Sequence, residues 1–596
     1  MTNSTIGVLD FGGQYAHLIA NRLRRLGVYS AVFPSDTAPE KLKDLHGLIF
    51  SGGPSSVYDT DAPQVNPDIL KLSVPLLGIC YGHQLLCQLS GGTIKPGAIK
   101  EYGAADFFPQ EQNPLFKGLS SPSRVWMSHG DEVTVLPPGY TSAGYTSDCQ
   151  YAAVSNLSLQ RYGLQFHPEV THSLQGLTLL DNFISLCACP RTWNMQTYLE
   201  QLQEKLRKSC QGKKVFLLVS GGVDSTVAFG LLNQALGPER VRGLHIDNGL
   251  MRKNESQDIL DFMSRQGFNN LTFCDASDTF LNALHQKTDP ESKRRIIGDT
   301  FFSVLESELQ RQNLNPEEWI WAQGTTYPDT IESGGTKNSA TIKTHHNRVP
   351  KALELLEKGA IIEPLAELYK DEVRDLGSRL GIPDHLIWRH PFPGPGLGVR
   401  VLCQTAPEPA PAHIDTAALT ELCSLHQISY YIPPVRSVGV QGDGRTYAHP
   451  LCLTGNANWD LLQQLSTLIT NRHPQLNRVV WEARSLPGTY HARPLTLIRP
   501  ELDLLREADA RFNQALLDFQ IMKDIWQMPV VLLPLYKNQK PVVLVRPIHS
   551  SEAMTASCAQ LPASLLNAVW EDLQKLGFGA LWYDLTHKPP GTIEWE

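Results

Sequence analysis

Ser220-Gly221-Gly222-Val223-Asp224-Ser225-Thr226 is the stretch whose reading decides the fold. It follows Val215–Val219, an apolar run of strand length, and precedes Val227–Leu232, which reads as the start of a helix. The two glycines allow a tight turn that exposes backbone amides, and a helix N-terminus adds partial positive charge. A strand, a glycine turn carrying hydroxyls and a helix together make a seat for phosphate. The stretch contains no Gly-Lys-Ser/Thr, so it is not the loop that cradles a transferred γ-phosphate.

The chain has 596 residues, enough for two to four domains, with ordinary apolar and charged fractions. Its formal net charge of −8 argues against a surface dedicated to nucleic acid. No apolar run reaches the roughly 18–20 residues of a membrane span. The opening MTNSTIGVLDFGGQ lacks a basic leader and enters a strand directly, which predicts no signal peptide. The 11 cysteines are scattered, with no Cys-x-x-Cys, so neither a disulfide framework nor a zinc site is expected, and a reducing cytoplasm is.

In the first third, Ile6–Leu9, Gly47–Phe50, Pro75–Ile79 and Leu164–Phe166 read as strands alternating with helical patterns, the signature of a mainly parallel α/β domain. Catalytic groups of such sheets gather at the carboxyl ends of strands. There Gly78-Ile79-Cys80-Tyr81-Gly82-His83-Gln84 places a thiol between small residues, as in a nucleophile elbow. A helix N-terminus favours its thiolate. Gly163-Leu164-Gln165-Phe166-His167-Pro168-Glu169 supplies a base, His167, and a carboxylate, Glu169, to orient it. Gly52-Gly53-Pro54 and the Tyr81 amide are candidate oxyanion donors.

These motifs carry resemblances. Ser-Gly-Gly-x-Asp-Ser resembles the pyrophosphate loop of the ATP pyrophosphatases, which implies that ATP binds along residues 220–226 and is split to AMP and pyrophosphate. Asp224 is then the candidate ligand for the Mg²⁺ that accompanies ATP, or a helix cap. No tightly bound organic cofactor is implied. GICYGHQ with QFHPE is similar to the class I glutamine amidotransferases. That implies Cys80 as nucleophile, His167 as general base and acid, Glu169 as orienting group, Gly53 and Tyr81 at the oxyanion, and Gln84 holding glutamine. Ser128-His129-Gly130-Asp131 also looks like a family segment near that pocket. Ser333–Asn338 and Lys343 could form a lid over ATP, or an ordinary solvated loop.

The last third names an acceptor. DLTHKPPGTIEWE at 584–596, with Gly439–Arg445, Phe392–Gly398 and Lys293–Gly298, resembles the glutamine-hydrolysing GMP synthase family end to end. The resemblance implies that Arg294, Asp443, Gln527, Lys588 and Glu594 bind xanthosine monophosphate (XMP). The expected fold is α/β: an amidotransferase domain at 1–190 and an ATP pyrophosphatase (PP-loop) domain at 191–392, both with mainly parallel sheets. An α+β region at 393–596 follows, with His390–Gly396 as a hinge-like boundary and two similar subdomains at about 393–500 and 501–596. The extra copy leaves monomer and homodimer both open. The expected partners are XMP, ATP and glutamine, with no nucleic acid and no membrane. Rival readings are another aminating pyrophosphatase such as an NAD synthetase, a tRNA-thiolation enzyme, and a nucleotide sensor without catalysis. The 584–596 ending argues against the first, the lack of a basic surface or sulfur-carrying cysteine against the second, and the complete catalytic sets against the third.

Overall fold

The computed structural model describes residues 5–13, 15–170, 172–312, 314, 318–326, 361–409, 414–441, 444–550 and 556–596. Asp443, Ser333–Asn338 and Lys343 lie outside the described residues. Two compact units emerge, one holding Met1–Glu204 and Leu365–Glu372, the other Lys205–Gly324 and Val373–Glu596. The two compact units part at 204/205. Helix Met195–Ser209 spans that point, and Asn194 caps it, accepting from the Thr197 amide at 2.9 Å.

The first unit is built on nine strands: β1 (Thr5–Asp10), β2 (Tyr29–Pro34), β3 (Gly47–Phe50), β4 (Leu76–Ile79), β5 (Thr93–Pro109), β6 (Ser123–Val135), β7 (Thr141–Tyr145), β8 (Ala153–Asn156) and β9 (Arg161–Leu164). Their order is β2-β1-β3-β4-β9-β8-β7-β5-β6. Strands β2 to β9 of that order are parallel, and the rest form an antiparallel extension. The parallel strands are short and apolar because both faces are covered. Ile6 and Val8 of β1 enter one core with Leu77 and Ile79 of β4, while Leu9 and Leu76 enter the other.

The second unit opens with a parallel sheet in the order β12-β11-β10-β13-β14, from β10 (Lys214–Leu218), β11 (Val241–Asp247), β12 (Leu271–Asp275), β13 (Trp319–Ala322) and β14 (Ile361–Ile362). Connections leave β10 toward β11 on one side, and β13 returns on the other. The carboxyl end of β10 is therefore the topological switch point, where open α/β sheets hold ligands. The helix after it spans Val223–Leu236, beginning inside the glycine motif and not at Val227. Val223 can start it because Gly222 takes the extended N-cap conformation and Gly221, at φ +88°, takes the turn.

The boundary expected at 392/393 falls inside this unit. Gly396 is packed so closely on Leu250 that a Cβ there would lie 3.0 Å from the Leu250 carbonyl carbon, and the Leu397 amide donates to the Leu250 carbonyl at 2.8 Å. The Pro-Gly stretch is held against the segment that follows β11 and does not act as a free hinge. Beyond it come β15 (Ser429–Tyr431), β16 (Ser437–Gln441), β17 (Gly444–Thr454), β18 (Leu476–Ser485), β19 (Tyr490–Ala492), β20 (Val530–Lys537), β21 (Lys540–Val545), the short pair β22 (Ile548–His549) and β23 (Ser557–Cys558), and β24 (Ala580–Asp584). The sheet runs β15-β17-β18-β24-β21-β20-β19, with β16 on β17. Both β16-β17-β18 and β20-β21-β24 comprise an antiparallel hairpin followed by a helix (Trp459–Arg472 or Ala563–Lys575) and a parallel return strand. The two halves meet where β18 pairs antiparallel with β24.

Candidate active sites

Cys80 lies between β4 and helix Tyr81–Leu89 at φ 51°, a conformation a residue with a Cβ rarely adopts. The strain lifts the thiol off the strand end. Its small neighbours have a steric cause. A Cβ on Gly82 would lie 2.7 Å from the Phe50 carbonyl carbon, and one on Gly78 would lie 2.7 Å from the Gly82 carbonyl carbon.

His167 follows β9, the neighbour of β4, and its Nδ1 is 2.7 Å from Glu169 Oε1. Cys80, His167 and Glu169 are all buried. Burial disfavours the imidazolium, but the Glu169 carboxylate and then the Cys80 sulfur outweigh it and hold the His167 pKa well above the ordinary imidazole value. A Cβ on Gly52 would sit 2.8 Å from His167 Cε1 and 3.6 Å from Cys80 Cβ, so the β3 end must be bare there. Gly53 packs beneath the Phe11 carbonyl and the Tyr81 ring, and the Tyr81 hydroxyl donates to the Pro63 carbonyl at 2.7 Å. Cys80, His167 and the pair Gly52-Gly53 thus come from the carboxyl ends of β4, β9 and β3, adjacent in the sheet.

Gln84 is buried, and its amide nitrogen donates to the Asp131 carbonyl at 2.7 Å and to Gln165 Oε1 at 3.3 Å. It therefore braces Ser128–Asp131, which lies inside β6. The Cys80 thiol donates to the Ser128 carbonyl at 3.4 Å. Glu101 went unnoticed in the sequence. Its Oε2 is 3.0 Å from His129 Nε2, and its Oε1 accepts from Thr146 at 3.0 Å. The partners sit 28 and 45 positions apart, so no local pattern announces them. Glu101, His129 and Cys149 are also the one group among the described residues with metal-like spacing, but the carboxylate is already shared by His129 and Thr146.

In the second unit the loop at 220–226 closes on itself. Ser220 and Ser225 hydroxyls are 3.1 Å apart, and Ser225 donates to the Gly222 carbonyl at 3.1 Å. Asp224 stands in the first helical turn, and Arg389 feels its charge. Arg389 is in turn ion-paired with Glu255 at 3.0 Å. A Cβ on Gly324, at the end of β13, would meet the Ser225 amide at 3.0 Å, so the neighbouring strand end comes close against the loop. Buried Thr226 faces the interior.

Of the expected acceptor residues, Gln527 and Glu594 meet directly, Nε2 to Oε1 at 3.1 Å. Arg294 donates to the Glu596 carbonyl and to Glu291 at 2.8 Å. Lys588 sits on the bridge to Ala556, its amide donating at 2.8 Å. The sequence reading missed the supports of this cluster. Arg400 holds Glu594 through Nη2 at 3.0 Å and Nε at 3.2 Å. Fully buried Lys293 pairs with Glu596 and donates to the Gly398 carbonyl at 2.9 Å. A charge inside the apolar run Leu397-Gly-Val-Arg-Val-Leu402 was the available signal for Arg400. Closing the chain, Trp595 and Glu596 are core residues and not a tail.

Comparisons with known proteins agree with this layout. Residues 7–186 match the family Glutamine amidotransferase class-I, 194–304 match NAD synthase, and 514–595 match GMP synthase C terminal domain. A probable glutamine-hydrolyzing GMP synthase from Leptospira interrogans is 43% identical over 604 residues, covering 99% of each chain. Glutamine-hydrolyzing GMP synthases from Syntrophomonas wolfei and Enterococcus faecalis are each 40% identical, covering 82% and 80% of this chain and 99% and 96% of their own.

Proposed function

Because the chain belongs to the glutamine-hydrolysing GMP synthases, we propose a division of labour in which its first unit makes ammonia and its second spends ATP to receive it. The enzyme is a C–N ligase that makes GMP from XMP, ATP and glutamine, releasing AMP, pyrophosphate and glutamate. The observation that carries the residue assignment is the Cys80-His167-Glu169 constellation at one switch of strands together with the 220–226 loop at another.

In the first unit the Cys80 sulfur attacks the carboxamide carbon of glutamine. The oxygen that becomes negative is placed toward the Gly53 and Tyr81 backbone. His167 gives its proton to the departing nitrogen, leaving a thioester and ammonia, and then takes a proton from the water that releases glutamate. Glu169 keeps the imidazole in the orientation these transfers need.

In the second unit we place ATP on residues 220–226, with phosphates toward the amides of the turn and the helix N-terminus. The XMP C2 oxygen attacks the α-phosphorus and pyrophosphate leaves. Ammonia then displaces AMP from the adenylyl-XMP, giving GMP. Arg294 and Lys588 are assigned to the phosphate of XMP, and Gln527, Glu594 and Asp443 to its purine and ribose. The donor set of Asp224 with the Ser220 and Ser225 hydroxyls suits the Mg²⁺ of ATP, which usually takes few protein ligands beside phosphates. When bound, that ion would withdraw charge from the leaving pyrophosphate. We read the C-terminal region as two copies of one unit, supported by their matching order of elements. Eleven free thiols and, among the described residues, no helix long and apolar enough to cross a membrane support a cytoplasmic setting.

Product analysis tests the assignment. AMP and pyrophosphate are expected in equal amounts with GMP, whereas ADP and phosphate would overturn the reading of the loop.

A further inference from the structure

The loop at 220–226 is short of side chains that could stiffen it, since two of its seven residues are glycine. A phosphate seat built from backbone amides binds well only when those amides are held in place before the ligand arrives. Just before the loop, the Val219 carbonyl accepts from His245 Nδ1 at 2.6 Å. A carbonyl can only accept, so this contact fixes the proton on Nδ1. The other ring nitrogen, Nε2, lies 3.0 Å from Ser256 Oγ. That hydroxyl has one proton to offer, to the lone pair of Nε2 or to Asp247 Oδ2 at 2.8 Å, while Asp247 Oδ1 accepts from the Gly249 amide at 2.8 Å.

The result is an unbroken run of contacts from Val219 through His245 and Ser256 to Asp247 and Gly249. It joins the carboxyl ends of β10 and β11, the two strands flanking one side of the switch point. His245 has no exposed surface and Ser256 is buried, so water cannot take over either contact without opening the core. The imidazole also lies under the turn. A Cβ on Gly221 would come 3.7 Å from His245 Cε1, with Met251 and Ile259 beside it at 3.3 and 2.8 Å. Each feature bears on the phosphate turn from below.

We propose that His245, relayed by Ser256 to Asp247, is a positioning residue that pre-sets the ATP loop. This rests on the reading of residues 220–226 as that loop. His245 touches no substrate. It fixes the height and tilt of Val219, and hence the direction of the amides that follow.

The test is steady-state kinetics on the full chain with three variants. His245→Leu removes both polar contacts and should raise the KM for ATP about tenfold, the loss of one to two buried hydrogen bonds. The KM for XMP and glutamine hydrolysis at Cys80 should stay unchanged. His245→Asn keeps a donor where Nδ1 was and should recover most of the loss. Ser256→Ala cuts the relay while leaving the ring in place and should raise the KM for ATP roughly three- to fivefold, about one hydrogen bond. The His245→Leu/Ser256→Ala double variant should be no worse than His245→Leu, because both act on one chain of contacts. An unchanged KM for ATP in Ser256→Ala, or a His245→Asn variant with a KM for ATP raised as far as about tenfold, overturns the proposal, even if His245→Leu does not fold. Equal rises in KM for ATP and XMP also overturn it, since that is general loosening. If instead ADP and phosphate were the products, the reading of the loop would fail, and that outcome is distinct from these.

Discussion

Replacing Asp584 by Asn should cost the second unit several kcal/mol of stability and loosen the acceptor site with it. Asp584 ends β24 fully buried, with Arg478 Nη1 at 2.8 Å and Arg546 Nη1 at 3.0 Å, both arginines having no exposed surface. Its Oδ2 also accepts from Trp595 Nε1 at 2.8 Å, and its Oδ1 from the Thr586 amide at 2.9 Å. Asn preserves the shape and a carbonyl for one of these donors, so the loss is almost purely charge. One carboxylate between two guanidinium groups becomes none, leaving two buried cations without the anion they share. Breaking a buried pair in this way costs about 3–5 kcal/mol. Arg478 also donates through Nη2 to the Thr592 and Glu594 carbonyls at 2.9 and 2.8 Å, so its displacement should raise the KM for XMP. Burial alone would raise the Asp584 pKa, but Arg546 and Arg478 outweigh it and hold it below the usual carboxylate value. A depressed carboxylate stabilises above the unfolded-state pKa of about 3.9, and that contribution is lost as pH falls through the lower folded value. Urea unfolding at pH 7, followed by the fluorescence of the buried tryptophans, should show the full difference. The gap between wild type and Asp584→Asn should narrow below pH 4. A difference under about 1 kcal/mol at pH 7 would refute the charge argument, placing the triad among pairs whose desolvation cancels their attraction.

Two further outcomes follow from the first unit. Cys80→Ala should reduce glutamine-dependent GMP synthesis by on the order of 10³-fold or more while leaving synthesis from high ammonium intact; loss of both would break the two-site scheme. Gly82→Ala should destabilise the unit by about 1–3 kcal/mol and slow glutamine hydrolysis, because its methyl group meets the Phe50 backbone. Wild-type melting and hydrolysis in that variant would show that the elbow has room the geometry denies it.

The triad was legible because its chemistry is compressed into two short stretches. Cys80 needs small residues two positions away for reasons of local packing, and Glu169 reaches His167 across a two-residue turn. The loop was legible for the same reason, although the helix start at Val223 was not. A β-branched residue next to glycines reads as turn until Gly222 is known to be the cap. The supports were hidden by distance along the chain. Glu101 stands on β5, and its partners His129 and Thr146 are reached only once β5 has paired with β6 and the β7 end is in place. The antiparallel extension itself was missed because β5 runs through Lys95, Pro96 and Gly97, which read as loop. Arg400 and Lys293 would have been placed on a surface by composition, yet each has a carboxylate nearly 200 or more positions away.

Those separations set the order in which the acceptor site can be built. The segment 592–596 is received by Arg478, Arg400, Cys403 and Arg294 across 116, 194, 193 and 302 positions. Loop-closure entropy grows only logarithmically, so each doubling of such a separation adds roughly 0.6 kcal/mol and the long reach is thermodynamically mild. Kinetically it is not, because contacts of this range form after local ones. The nucleotide sheet and both hairpins of the C-terminal sheet can fold before the segment docks. The proposed acceptor site is therefore the last part of the second unit to become whole, because Glu594 reaches Arg400 only when that segment docks.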